Sequence, residues 1–320
     1  MAAAAFSIRF LYRPQRSVRA DARSVVALQL AAPDRRHHLS AMNDSALSTP
    51  STARLPTLFV PHGGGPCFFM DPPPGDPHAW DAMASWLRGI AASVGTRPRA
   101  ILVISAHWET PRPTVMTAER PPMLFDYYGF PDHTYRLKYP APGSPALASR
   151  VRALLSGAGI ASDEDDARGY DHGVFVPFLL MFPDAEIPVV QLSLRADLDP
   201  AAHLAIGRAL APLRDEGVLI VGSGMTYHNL RRFWSTDAHD VDAARAFDTW
   251  LADAVATPVA SDRDARLADW ENAPGARTAH PRSEHLLPLM VAAGAGNDDR
   301  GVRTYSDRIF GKAVSGFRFG

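Results

Sequence analysis

The sequence predicts an α/β fold: one three-layer α/β/α domain around a mostly parallel, mixed sheet, with an antiparallel pair of strands at its C-terminal end. Three observations carry this expectation. Short apolar runs without polar alternation recur along the chain, as strands covered on both faces require. Helical patterns stand between them, the alternation that builds a parallel sheet. The last twenty or so residues read instead as two adjoining strands.

In chain order, Thr57–Pro61 (TLFVP) is the first predicted strand and Trp80–Ser93 the first helix. Ala100–Ala106 (AILVISA) is the second strand, and Pro145–Leu155 the second helix, with proline suited to a first turn. Ile187–Leu194 (IPVVQLSL) precedes a helix over Ala201–Asp215 that Gly217 stops, and Val218–Gly222 (VLIVG) follows. Two further helices cover Ala243–Val255 and Ser283–Ala293, the latter ending at Gly294. Thr304–Phe310 and Ala313–Phe319 form the antiparallel pair. The acidic run Asp163–Asp166 reads as a solvated loop.

The chain has 320 residues, 46% hydrophobic and 21% charged, ordinary for a globular protein with a full core. Residues 1–50 are expected to be a disordered or mis-annotated N-terminal extension, and 51–320 the catalytic domain. The extension carries Arg9, Arg13, Arg16, Arg19, Arg23, Arg35 and Arg36 against Asp21 and Asp34, so it reads as a transit peptide or as sequence upstream of a start at Met42. A net charge of -1 argues against a nucleic-acid partner. Cys67, the single cysteine, cannot form an internal disulfide, which suits a cytoplasmic location. No apolar run reaches the roughly twenty residues that a membrane span needs. The sequence does not set the oligomeric state.

Ligands of open α/β sheets bind beyond the carboxyl ends of the strands. Among 12 histidines, three fall there: His62 opens HGGGP after the first strand, His107 follows the second, and His228 lies just beyond VLIVG in GSGMTYHNL. His172, beside Asp171 in GYDHGVFVPF, and His285, beside Glu284 in HPRSEHLLPL, join the candidates. Imidazole suits iron, zinc, copper or nickel, whereas magnesium and calcium prefer oxygen. No zinc-finger or HExxH spacing is present, so a preformed catalytic site is expected in place of a structural clip. His78, His133, His203, His239 and His280 read as surface or helix histidines, and His37 and His38 fall in the extension. HGGGP is not a phosphate-binding loop, and Ser223 in GSG does not meet the nucleophile-elbow pattern GxSxG.

Together, HGGGP, ISAHW, FDYYGFPDHTYRLKYPAPGSP, YDHGVFVPFLLMFPDAEIPVVQLSL, GSGMTYHNL and SEHLLPL resemble the class III extradiol ring-cleavage dioxygenases, in the branch that includes the 4,5-DOPA dioxygenases. The resemblance runs from about Leu55 to the C-terminus with the motifs in order. It implies a single α/β domain and insertion of both atoms of O2 into a catechol-type substrate. It also implies metal ligation by His62 and His107, with the third ligand from Glu284–His285: His285 by choice, Glu284 as the alternative. His228 matches a fourth ligand or an acid/base, and His172 a pocket histidine that binds substrate or moves protons. The redox step implies iron(II) for activity, with zinc a possible occupant of the same site. Tyr127 and Tyr128 are substrate-binding candidates for stacking on the ring, with Tyr135 in the same segment. Many members of the branch read HGSP where this chain has HGGGP followed by Cys67, so the pocket near the metal is expected to differ. A zinc-dependent hydrolase and a non-enzymatic binding or adaptor protein are the alternatives on the same scaffold.

Overall fold

The structure is a computed structural model that describes residues 54–73 and 76–320; the expected extension over residues 1–50 lies outside them. Eight strands form one sheet: β1 (Thr57–Pro61), β2 (Ala100–Thr110), β3 (Thr114–Met116), β4 (Asp163–Asp165), β5 (Val189–Arg195), β6 (Val218–Gly224), β7 (Gly301–Ile309) and β8 (Lys312–Phe319). Their order across the sheet is β4-β3-β5-β2-β6-β1-β8-β7. The four central strands β5, β2, β6 and β1 are parallel to one another. β3 runs antiparallel to β5, β8 antiparallel to β1, and β7 antiparallel to β8, so the sheet is mixed, as expected.

The helices are α1 (Asp81–Arg88), α2 (Ile90–Val94), α3 (Pro145–Gly157), α4 (His172–Met181), α5 (Pro200–Leu210), α6 (Ala238–Val255), α7 (Ala260–Ala268), α8 (Ala276–Ala279) and α9 (Leu287–Gly296). α9 packs on β1, β2 and β6 with α5 behind it, while α4 packs on β2 and β6 with α1 beside it. Strands covered on both faces are largely apolar, and Ile101, Leu102, Val103 and Ile104 of β2 are all fully buried. Each such side chain contributes about 1.5–3 kcal/mol by leaving water. Among the described residues no helix is long and apolar enough to cross a membrane.

Several boundaries differ from the expected ones for identifiable reasons. The first expected helix is two, α1 and α2, joined at Gly89, whose N–H reaches the carbonyls of both Ser85 and Trp86. The helix expected to run to Asp215 leaves α geometry after Leu210 and tightens into a 3₁₀ turn over Ala211–Arg214, where Pro212 has no N–H for an α-helical bond. The helix expected from Ser283 begins at Leu287 with Pro288 in its first turn. The acidic run is not a loop: Asp163–Asp165 is the short edge strand β4, paired with β3. Charge on a three-residue edge strand deters further pairing, so the same residues that suggest solvent also suit an edge. α4 escapes sequence periodicity because it is apolar all round and nine of its ten residues are buried.

Candidate metal and catalytic site

The site lies beyond the carboxyl ends of β1, β2 and β6. His62 immediately follows β1, and its N–H bonds the Gly224 carbonyl at 3.1 Å, continuing the β1–β6 ladder by one residue. His107 is not beyond β2, as expected, but within its C-terminal part. The β2–β5 register shifts between Ile104 and Glu109, so residues 105–108 leave the regular pairing with β5, while Ser105 stays paired with Ser223 of β6. His172 opens α4. The backbone of Gly173 approaches β2 so closely that a Cβ there would lie 2.6 Å from Ser105 Oγ and 2.9 Å from His107 Cδ2. On the opposite side, Met225 N–H bonds the His285 carbonyl at 3.0 Å, and only glycine at 224 admits that carbonyl, which a Cβ would meet at 2.1 Å.

These elements bring five of the predicted histidines together. Ring centroids are 4.9 Å apart for His62 and His107, 5.2 Å for His62 and His285, and 4.9 Å for His107 and His285. His172 lies 3.9 Å from His107 and 5.6 Å from His62. His228 stacks on His285 at 3.3 Å with planes 14° apart. Two groups have donor atoms close enough to hold a metal ion: His62, His107 and His172, and His228, Glu284 and His285. The tight trios thus divide the cluster differently from the expected ligand set, which takes His62 and His107 from one and His285 from the other.

The hydrogen bonds behind the rings discriminate among these atoms. The Ser223 hydroxyl donates to the Gly173 carbonyl, so its lone pair accepts from His62 Nδ1–H at 3.1 Å and leaves His62 Nε2 unprotonated. His62 Nε2 faces His107 Nε2 at 3.2 Å. Two nitrogens each about 2.0–2.1 Å from one tetrahedral zinc stand about 3.3 Å apart, so this pair is spaced as two ligands of one ion. Glu284 Oε1 lies 3.0 Å from both His228 Nδ1 and His285 Nδ1. A carboxylate that holds two N–H groups from behind leaves both Nε2 atoms available, the arrangement that commonly orients ligating histidines. His172 Nδ1 bonds Asp126 Oδ1 at 2.7 Å, and Asp126 Oδ2 lies 3.5 Å from His107 Nδ1.

Electrostatics suits cation binding. Burial, reinforced by neighbouring imidazoles, holds His62, His107 and His285 well below the ordinary histidine range, so they are neutral and able to ligate at pH 7. His172 behaves oppositely: burial opposes its charge, yet Asp126 and Asp171 raise its pKa. Against its own burial, Glu284 is held below the usual carboxylate range by the hydrogen bond with His228. Asp171, at the N-terminus of α4, is fully buried and bonded by Ser105 at 2.7 Å, by Arg168 at 2.6 Å and by Gln191. The donor set fits a nitrogen-ligated transition metal, with neutral imidazoles, facing nitrogens and anchored rear atoms.

The remaining candidates fall as follows. Tyr127 is buried with its ring 5.8 Å from His172, and its hydroxyl donates to the Thr134 carbonyl at 2.8 Å. Tyr128 is 50% exposed. His78, His133 and His239 are exposed, and His203 is a buried residue of α5. His280 is neither a surface nor a helix histidine: it caps α8, is fully buried, and Nε2 bonds the Thr226 carbonyl at 3.0 Å. Ser223 and Asp126 were not among the expected site residues: Ser223 stands in GSG outside the nucleophile pattern, and Asp126 sits among the tyrosines of FDYYGF with no spacing that marks it.

A family model described as the catalytic LigB subunit of aromatic ring-opening dioxygenase matches residues 56–314, and the chain belongs to that family. It is an enzyme of the aromatic ring-opening, extradiol dioxygenase type. Among its relatives, the dioxygenase tasH of Hapsidospora irregularis is 39% identical over 83% of this chain and 85% of its own length. The 4,5-DOPA dioxygenase extradiol of Beta vulgaris is 41% identical over 76% of this chain and 87% of its own, and that of Escherichia coli K12 is 37% identical over 77% and 86%. The crystal structure of an uncharacterized protein from Escherichia coli K12 is 31% identical and superposes with a TM-score of 0.67, covering 83% of this chain and 100% of that one.

Proposed function

We propose that the protein is a metal-dependent extradiol dioxygenase that inserts both atoms of O2 into a catechol-type substrate, as its DOPA-cleaving relatives do with theirs. The observation that carries this reading is the set of buried neutral imidazoles whose rear nitrogens are anchored, with His62 and His107 facing each other through Nε2 at 3.2 Å. His62, His107 and His285 hold the ion, with Glu284 behind His285 as its hydrogen-bond acceptor and not as a ligand. Iron(II) is the active metal, because the reaction needs a redox-active centre, and zinc fits the same nitrogens. When bound, the ion supplies the acidity that ionises a diol at neutral pH and the redox capacity that dioxygen chemistry requires.

The protein's own groups supply the rest. His172, with Nδ1 bonded to Asp126, presents Nε2 as the base that takes a proton from a substrate hydroxyl and later returns it. His228, stacked on His285 and held by the same Glu284 oxygen, stands beside the ligands as a second proton carrier or a fourth ligand. Tyr127 offers its ring next to His172 as a wall for the aromatic substrate; Tyr128, more exposed, would meet the substrate from the solvent side. Anaerobic loading with iron(II), then oxygen uptake across a panel of catechols including DOPA and protocatechuate, tests the proposal. Uptake with a yellow ring-cleavage product is expected. No uptake with any catechol overturns it.

A further inference from the structure

Asp126 is the carboxylate that stands behind His172 and reaches toward His107. Oδ1 accepts from the His172 backbone N–H at 2.9 Å and from His172 Nδ1 at 2.7 Å, while Oδ2 lies 3.5 Å from His107 Nδ1. Its side chain is 20% exposed, and the backbone beneath it is fixed. Leu124 N–H bonds the Tyr170 carbonyl at 2.8 Å, Met123 bridges Tyr170, and Asp126 N–H bonds the Leu124 carbonyl at 3.1 Å. The carboxylate therefore comes from a segment tied to the residues just ahead of α4, and it stands in place before any substrate arrives. An ionised carboxylate only accepts, so the proton it meets must sit on Nδ1 of the imidazole.

We propose that Asp126 is a positioning residue that acts through His172, selecting the tautomer whose Nε2 lone pair faces the substrate. In the step it serves, the substrate O–H bond breaks, a bond from that proton to His172 Nε2 forms, and the electron pair stays on the substrate oxygen. Asp126 transfers no proton itself. The kinetic consequence rests on the dioxygenase reading above; the tautomer does not.

Two measurements separate these. In metal-free protein with ¹⁵N-labelled histidine, at a pH high enough for His172 to be neutral, its signals, assigned by their loss in His172→Ala, are expected to show a protonated Nδ1 and an unprotonated Nε2. In Asp126→Asn, whose amide can turn either its oxygen or its NH2 group to the ring, the two tautomers are expected to mix. In the iron(II)-loaded enzyme, Asp126→Asn is expected to keep its metal and to hold KM within about threefold, while kcat falls about 100-fold or more. Added to His172→Ala, the same change is expected to cost almost nothing further, because its effect runs through that ring. A wild-type His172 protonated at Nε2, a tautomer unchanged in Asp126→Asn, or a full additional loss in the double variant overturns the assignment. If no catechol supports oxygen uptake in the wild type, the dioxygenase reading fails, and the nitrogen signals still decide the role of Asp126.

Discussion

Replacing Ser223 by alanine removes the acceptor at His62 Nδ1 while leaving every proposed ligand in place. The His62 ring then loses its fixed tautomer, and metal affinity is expected to fall about 10–100-fold in a competition titration, as losses behind a ligand typically do. An unchanged affinity would show that packing alone aims the ring. His172→Ala is expected to behave in the opposite way, retaining metal while turnover falls about 100-fold or more. Loss of metal from that variant would move His172 into the ligand set, where its 3.9 Å approach to His107 makes it the nearest competitor of His285. At this scale the chemistry-bearing imidazoles are legible in the sequence because imidazole is chemically distinctive and strand ends are where ligands bind. Ser223 and Asp126 are not, because orienting a ring needs only an acceptor in the right place, and no local spacing announces one. His280 escaped for a related reason: its burial is set by elements remote in sequence, which bring it to the Thr226 carbonyl.

At the level of elements, α4 is where a helix-breaking residue has a chemical consequence. Pro177 has no N–H, so the Gly173 carbonyl one turn earlier lacks its α-helical donor and accepts the Ser223 hydroxyl in its place. Sequence thereby reaches the His62 tautomer through four residues: Pro177 frees Gly173, Gly173 orients Ser223, and Ser223 orients His62. Pro177→Ala supplies a competing N–H, and metal affinity is expected to fall in the same direction as in Ser223→Ala even if the fold becomes more stable. Equal metal affinity with the proline absent would break this chain of causes. Gly173→Ala forces a Cβ against Ser105 and His107, and overpacking of this kind costs about 1–3 kcal/mol. A lower Tm together with weaker metal binding is expected, and unaltered values for both would show that α4 can withdraw freely. The central strands β1, β2, β5 and β6 were legible because continuous burial leaves a continuous apolar run. The three-residue strands β3 and β4 and the start of α9 were not, because such short pairings and proline-opened turns take their form from their neighbours.

Across the whole molecule, the buried neutral histidines link stability to pH. Burial holds His203 below its ordinary range, and its ring accepts the Arg195 N–H at 3.0 Å while donating to the Asp199 carbonyl at 2.6 Å. Burial likewise lowers His280 to about 3, and His62, His107 and His285 shift the same way. The unfolded chain takes up these protons near pH 6.5 and the folded chain does not, so this stability is present above about 6.5 and declines as the pH falls. His172, raised by its carboxylates, works in the other direction and is outnumbered. For His280 alone the loss between pH 7.5 and pH 5 is about 2 kcal/mol. Urea unfolding of the metal-free protein at the two values is expected to show the drop, and to show less of it in His280→Asn; identical slopes would contradict the assignment. The three-layer architecture was legible in the alternation of runs, whereas the pairing of His228 with His285 through Glu284 depends on contacts between segments some 56 residues apart. The most direct test of the central claim is ring cleavage under ¹⁸O-labelled dioxygen by the iron(II)-loaded protein, with the product read by mass spectrometry. Both labelled atoms are expected in a product opened beside the diol, and none from His62→Ala or His107→Ala. A product carrying no label, or label incorporated equally by those variants, would contradict the assignment of this histidine cluster as an oxygen-inserting metal site.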